Sequence, residues 1–207
     1  MSHWKGMLEE RIDRIVRSSV RYLFAQIVGG RVTCQSEATL QLHLGRIVAS
    51  VADLETVGAG ETFTLELEKP AGGRGRIDIW FKLIDSDGRD KSCAIELKFF
   101  KKANQREPNN RYDVFKDIKR LEDSKKVADV GYMIVGTDHP HYINWKEYKP
   151  STADFDFRHG STYSAGFEMV YDGKHGPPIR LRNSYKFEWT ETTGSLSYLL
   201  VKVPVVA

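Results

Sequence analysis

RIDIWFKLIDSDGRDKSCAIELKFFKK, residues Arg76 to Lys102, is the stretch that decides the fold. Two apolar runs, Arg76 to Ile84 and Ser92 to Phe100, flank DSDGRD, a cluster of turn formers that contains an Asp-Gly pair. The arrangement predicts a β-hairpin. Side chains alternate across a strand, so Ile77, Ile79 and Phe81 are expected on one face and Asp78, Trp80 and Lys82 on the other. In the second strand Ile95, Leu97 and Phe99 share a face, opposite Ala94, Glu96 and Lys98. Two carboxylates and an ammonium thus project from apolar strands, where an unpaired charge is costly to bury.

A divalent cation is the most economical compensator. Mg²⁺ typically takes one or two protein carboxylates and completes its shell with water and phosphate oxygens, which suits Asp78 and Glu96 on neighbouring strands. Lys98, on the face of Glu96, is placed to orient or deprotonate a water aimed at that phosphate. Such a set hydrolyses phosphodiesters. A plain ion pair between Glu96 and Lys98 on a solvated sheet face is the competing reading. A calcium loop is excluded: Asp85, Asp87 and Glu96 fit its frame, but Asp90 stands where Gly is required and Arg89 where another ligand is required.

The order Asp78, then Glu96-Leu97-Lys98, on a hairpin followed by a helix, resembles the PD-(D/E)XK nuclease superfamily. Ile77 stands where that motif often has Pro. The resemblance covers residues 36–137 and implies a restriction-endonuclease-like α/β core of helix, three strands, helix and strand, with a mixed central sheet flanked by helices. It implies Mg²⁺, with Mn²⁺ as a substitute, held by Asp78, Glu96 and the backbone carbonyl of Leu97, and Lys98 acting on the water. Glu37, on the first core helix, matches a position from which many members reach the metal. Arg111, Tyr112 and Lys119, on the helix after the hairpin, match positions near the scissile phosphate. With Lys101 and Lys102 they are the candidate nucleic-acid contacts. The expected activity is that of a DNA endonuclease of restriction or defence type. A catalytically silent nucleic-acid-binding or assembly module, or an RNA-directed nuclease, are the alternatives.

Composition agrees with a folded enzyme-sized unit. The chain has 207 residues, 41% hydrophobic and 29% charged, which fits one domain with an ordinary core. No run approaches a membrane span, and the start MSHWKGMLEERIDRIVRS lacks an apolar signal core, so a cytoplasmic location and no membrane partner are expected. Cys34 and Cys93 are expected as reduced, buried thiols. Net charge is +3, but between Lys98 and Lys126 ten Lys and Arg face five Asp and Glu, a basic region beside the carboxylates.

Around the hairpin, helical periodicity predicts a helix from Lys5 to about Val28, whose Arg11, Arg14, Arg17 and Arg21 lie off the apolar stripe. A second helix, capped by Ser36, is expected to run to about Leu54, with Gln41 sharing the face of Glu37. Residues 62–68 alternate as a strand, with solvent the default for Glu66 and Glu68 although either could approach the site, and KPAGGRGR reads as a turn. Asn109 or Asn110 is expected to open the helix carrying Val114, Phe115, Ile118 and Leu121, and ADVGYMIVG, 128–136, reads as a buried strand beside the hairpin. Past 137 lies an irregular excursion. In it His139 and His141 read as a solvated pair, and Tyr142, Trp145, Phe155, Phe157, Arg158 and Tyr163 are candidates for stacking on bases or for packing. Strands at 167–171, 179–189 and 195–203 complete a C-terminal antiparallel extension. The division is therefore 1–35, a helix; 36–137, the core; and 138–207, the extension of a single domain. A homodimer, or a place in a larger complex, would supply the second site that cutting a duplex requires.

Overall fold

The computed structural model describes residues 2–71, 75–104, 106–171 and 175–205. The turn glycines Gly72 and Gly73 lie outside them. Among the described residues are three α-helices, α1 (Ser2–Val28), α2 (Glu37–Glu55) and α3 (Glu107–Glu122). The long strands are β1 (Thr62–Pro70), β2 (Arg76–Ile84), β3 (Asp90–Phe100) and β4 (Val130–Thr137). Short pieces follow, β5 (Thr162–Tyr163), β6 (Glu168–Met169), β7 (Ile179–Arg180), β8 (Tyr185–Lys186) and β9 (Trp189–Glu191), before the full-length β10 (Ser197–Pro204). No helix among them is long and apolar enough to cross a membrane.

A six-stranded mixed sheet in the order β1-β2-β3-β4-β10-β9 organises the chain. β1, β2 and β3 are antiparallel neighbours, β3 and β4 are parallel, and β10 closes antiparallel on β4. The parallel pair needs a crossover, which α3 supplies. β4 is buried along its whole length, which is why it reads as a continuous apolar run.

The two faces carry separate cores. On one, α1 and α2 pack Ile12, Ile15, Phe24, Leu40 and Leu44 over Ile79, Phe81, Ile95, Leu97 and Tyr132. On the other, Val114, Phe115, Ile118 and Leu121 of α3 meet Trp80, Ala94, Met133 and Leu199, and the aromatic residues of the excursion complete the layer. Gly136 is required where α1 crosses β4: a Cβ there would lie 2.9 Å from Phe24 Cζ and 3.0 Å from a Phe99 ring carbon. Ser36 caps α2, its Oγ accepting from the Thr39 N–H at 3.2 Å.

The structure corrects several expectations. α3 opens at Glu107 instead of Asn109 or Asn110, because Pro108 fits a first helical turn and its missing N–H is not needed there. Ile77 packs in the α3-side core with Trp80, not with Ile79 and Phe81, beyond the point where the hairpin strands separate. The expected strand over 179–189 is broken into β7, β8 and β9. Its Arg182 and Asn183 amides donate to the Glu122 carboxylate, at 2.8 and 2.9 Å, instead of to a neighbouring strand. Cys34 and Cys93 are buried free thiols, as expected.

Candidate active site

The hairpin forks. β2 and β3 pair from Ile84↔Asp90 to Ile79↔Ile95 and no further. Past that point β2 stays with β1, through Lys69↔Ile77, while β3 stays with β4 from Glu96↔Met133 to Phe100↔Thr137. Asp78, Glu96 and Lys98 all stand in the opening. Their placement follows from the backbone: freed from its ladder, the Leu97 N–H is taken by Asp78, whose Oδ2 accepts it at 2.7 Å.

α3 closes one side of the fork. Asp117 and Arg120 sit on its inner surface, above Glu96 and Lys98. Glu96, fully buried, accepts from Arg120 Nε at 2.9 Å and from Nη2 at 2.5 Å, one bond to each carboxylate oxygen. Lys98 Nζ lies 2.8 Å from Asp117 Oδ2 and donates to the Leu97 carbonyl at 3.0 Å. Asp117 also holds Arg120, with Oδ1 3.0 Å from Nη2. One carboxylate thus spans both cations.

α2 closes the other side. Glu37 Oε1 is 3.4 Å from Lys98 Nζ. One turn on, Gln41 Nε2 donates at 2.7 Å both to the Asp78 carbonyl and to Glu68 Oε1. Glu68 has φ 55°, a left-handed conformation that costs a non-glycine residue roughly 1 kcal/mol or more. It interrupts the β1–β2 register opposite Asp78, where Leu67↔Ile79 and Lys69↔Ile77 pair on either side.

These contacts set the charges. Burial, then the nearby Asp117 and Asp78, push Glu96 up to about 9 against the pull of Arg120. Burial also raises Asp78, opposed by the Leu97 N–H and Lys98, and raises Glu37. Burial disfavours charge on Lys98 and on Arg120, but the surrounding carboxylates, Asp117 foremost, outweigh it and raise both. Among the described residues, no three His, Cys, Asp or Glu side chains converge closely enough to hold a metal ion in this arrangement.

Asp78, Glu96, Leu97, Lys98 and Glu37, singled out from the sequence, therefore come together. The nucleic-acid candidates fare differently. Arg111 is buried: Nη1 donates to the carbonyls of Thr152 at 2.7 Å and Phe155 at 3.3 Å, Nη2 donates to Thr152 Oγ1 at 2.5 Å, and the guanidinium lies 3.6 Å from the Tyr148 ring centre. Tyr112 is buried as well, its hydroxyl donating to the Pro177 carbonyl at 2.9 Å. Lys119 pairs with Asp123 at 2.5 Å on the surface of α3, and Lys101 reaches Gln35. The exposed Lys102 accompanies them at the start of the following 3₁₀ turn, where its N–H donates to Asp138 at 2.7 Å. In the excursion Tyr142, Phe155, Phe157 and Tyr163 are core, while Trp145 is half exposed. His139 bonds Glu107 at 3.0 Å, and burial lowers His141 to about 4. On α1, Arg11 pairs with Glu61, Arg14 with Glu55 and Arg17 with Asp13.

Sequence reasoning missed Asp117 and Arg120, and it left Glu68 with solvent as the default without foreseeing its link to Gln41. One signal was present. Val114, Asp117, Ile118 and Leu121 follow helical spacing, so a carboxylate interrupts the apolar stripe of α3, and a charge on that stripe must meet an opposite one. Compared with protein-family models, curated proteins and solved structures, the chain finds no match.

Proposed function

We propose that the chain is a Mg²⁺-dependent nuclease of the PD-(D/E)XK type, with a restriction-endonuclease-like core, acting on DNA in the cytoplasm. The observation that carries this reading is the fork. Where β2 and β3 part, Asp78, Glu96 and Lys98 project into one opening between α2 and α3. The order α2-β1-β2-β3-α3-β4 is the order the resemblance implies.

The donor set suits a hard divalent ion, since carboxylates and a backbone carbonyl are oxygen ligands. Asp78, Glu96 and the Leu97 carbonyl would hold it, with Glu37 in support. The charge fits too. Four carboxyl groups, Glu37, Asp78, Glu96 and Asp117, stand around two cations, Lys98 and Arg120, in a largely buried place; without metal, protons held on the raised carboxyls, Glu96 foremost, offset the excess, and ionising them calls for compensation by a further cation. Mg²⁺, when bound, supplies that compensation and polarises the scissile phosphate.

The chain's own residues do the rest. Lys98, kept charged by Asp117, orients the attacking water and stabilises charge as it develops on the phosphorane-like transition state. Asp117 is a positioning residue, holding the Lys98 ammonium over the Leu97 carbonyl. Gln41 fixes the backbone from which Asp78 projects. The test is cleavage of supercoiled plasmid and single-stranded DNA with Mg²⁺ or Mn²⁺, against EDTA and against Asp78→Ala and Lys98→Ala. Metal-dependent cutting lost in both variants is expected. No cutting of DNA or RNA by the native chain would overturn the reading.

A further inference from the structure

We propose that Arg120 is a phosphate-binding residue held in reserve: in the free protein it occupies Glu96, and metal and nucleic acid together release it. This rests on the nuclease reading of the same site. Arg120 engages both oxygens of Glu96, at 2.9 and 2.5 Å. The guanidinium takes one lone pair on each Glu96 oxygen and offsets the charge a cation would use, so Glu96 is a poor metal ligand while this two-pronged grip lasts. Lys98 is less committed to the proposed ligands: its shortest contact, at 2.8 Å, is Asp117, which is not one of them, and its bonds to the Leu97 carbonyl and Glu37 are longer, at 3.0 and 3.4 Å.

Release does not expel Arg120 from the site. Asp117 Oδ1, 3.0 Å from Nη2, remains as a tether. The Nε–H and the Nη2–H freed from Glu96 form a planar fork that matches phosphate oxygens, and the side chain is 32% exposed, open to an incoming strand. A metal arriving alone must break the Arg120–Glu96 pair and leave the guanidinium short of a partner. A metal arriving with a phosphodiester gives it a new one. Metal and nucleic acid therefore raise one another's affinity by the same factor.

Mn²⁺ binding, followed by the electron-paramagnetic signal of free Mn²⁺, tests this without cleavage. Native protein, Arg120→Gln, Arg120→Lys and Glu96→Gln are titrated with and without a phosphorothioate-backbone duplex. Native protein is expected to bind Mn²⁺ weakly alone and roughly tenfold tighter with the duplex, the scale that charged hydrogen bonds impose. Arg120→Gln and Arg120→Lys should each bind Mn²⁺ alone more tightly than native protein, the glutamine by about tenfold, and the glutamine variant should lose the gain from the duplex. If Arg120→Lys matches native protein while Arg120→Gln binds tighter, bulk charge rather than the grip on Glu96 is responsible and the proposal is overturned. It is also overturned, with the metal reading intact, if both Arg120 variants match native protein and Glu96→Gln binds more weakly. Absence of Mn²⁺ binding in every variant would remove the metal reading itself.

Discussion

Arg111 separates two readings of α3. As a nucleic-acid contact, its loss would weaken binding and leave the fold intact. The structure places it in the core instead, with three hydrogen bonds to Thr152 and Phe155 and a ring contact to Tyr148. Arg111→Met keeps most of the side-chain bulk and removes the charge and all three bonds. Hydrogen bonds to a charged group contribute about 1.5–3 kcal/mol each, and a desolvated cation–π contact about 2. The buried Nε lacks a hydrogen-bond partner, and burial opposes the charge, so part of that gain is already offset. A net loss of about 4 kcal/mol follows. With a urea slope of about 2–3 kcal/mol per molar, the unfolding midpoint should fall by roughly 1.5 M. The assay is urea unfolding followed by circular dichroism, beside fluorescence-anisotropy binding of a labelled duplex at two salt concentrations. A variant with an unchanged midpoint but weaker, salt-sensitive binding would refute the structural assignment and restore Arg111 to the interface.

Other outcomes follow from the same contacts. Glu96, Asp78 and Glu37 have folded pKa values raised above the ordinary range, so the metal-free folded state keeps protons that the unfolded chain has released. Their contribution to stability is present at low pH and is lost as pH rises from about 4.5 towards about 9; urea midpoints measured across that window should fall, and Glu96→Gln should flatten the slope. Glu122→Ala removes the acceptor of the Arg182 and Asn183 amides, the Asn183 side chain and the Tyr185 hydroxyl, and should cost about 3 kcal/mol in the same unfolding assay. Gly136→Ala forces a methyl against Phe24 and Phe99 and should cost about 1–3 kcal/mol, visible as a lowered thermal midpoint.

The hairpin, both α-helices before it and the buried β4 were legible because each depends on local periodicity and turn chemistry. Asp78, Glu96 and Lys98 were legible for a related reason: alternation puts charges on an apolar strand, and that demands a partner. What supplies the partner was not legible. Asp117 and Arg120 lie about 20 residues from Glu96 in sequence, and their meeting depends on the angle at which α3 crosses the sheet. Gln41 and Glu68 meet across a longer separation still, through a left-handed residue that β1's alternation conceals. The aromatic residues of the excursion were ambiguous because a base and a helix present the same kind of apolar surface to a ring. Their burial against α3 decides in favour of packing.

That burial bears on the site. α3 offers Asp117 and Arg120 to the fork from one side, and its other surfaces are pinned from outside by the excursion. Arg111 ties its first half to Thr152 and Phe155, Asn110 donates to the Tyr142 hydroxyl at 2.8 Å, and Glu122 gathers Arg182, Asn183 and Tyr185 at its last turn. A helix held at both ends cannot slide to relieve the crowding of four carboxylates around two cations. That crowding therefore stays in the fork, where the proposed divalent ion would offset it, instead of dissipating as a shift of α3. The excursion bears on the site through the helix it clamps, so on the proposed reading Glu122→Ala should shift Mn²⁺ affinity although Glu122 lies outside the proposed ligand set.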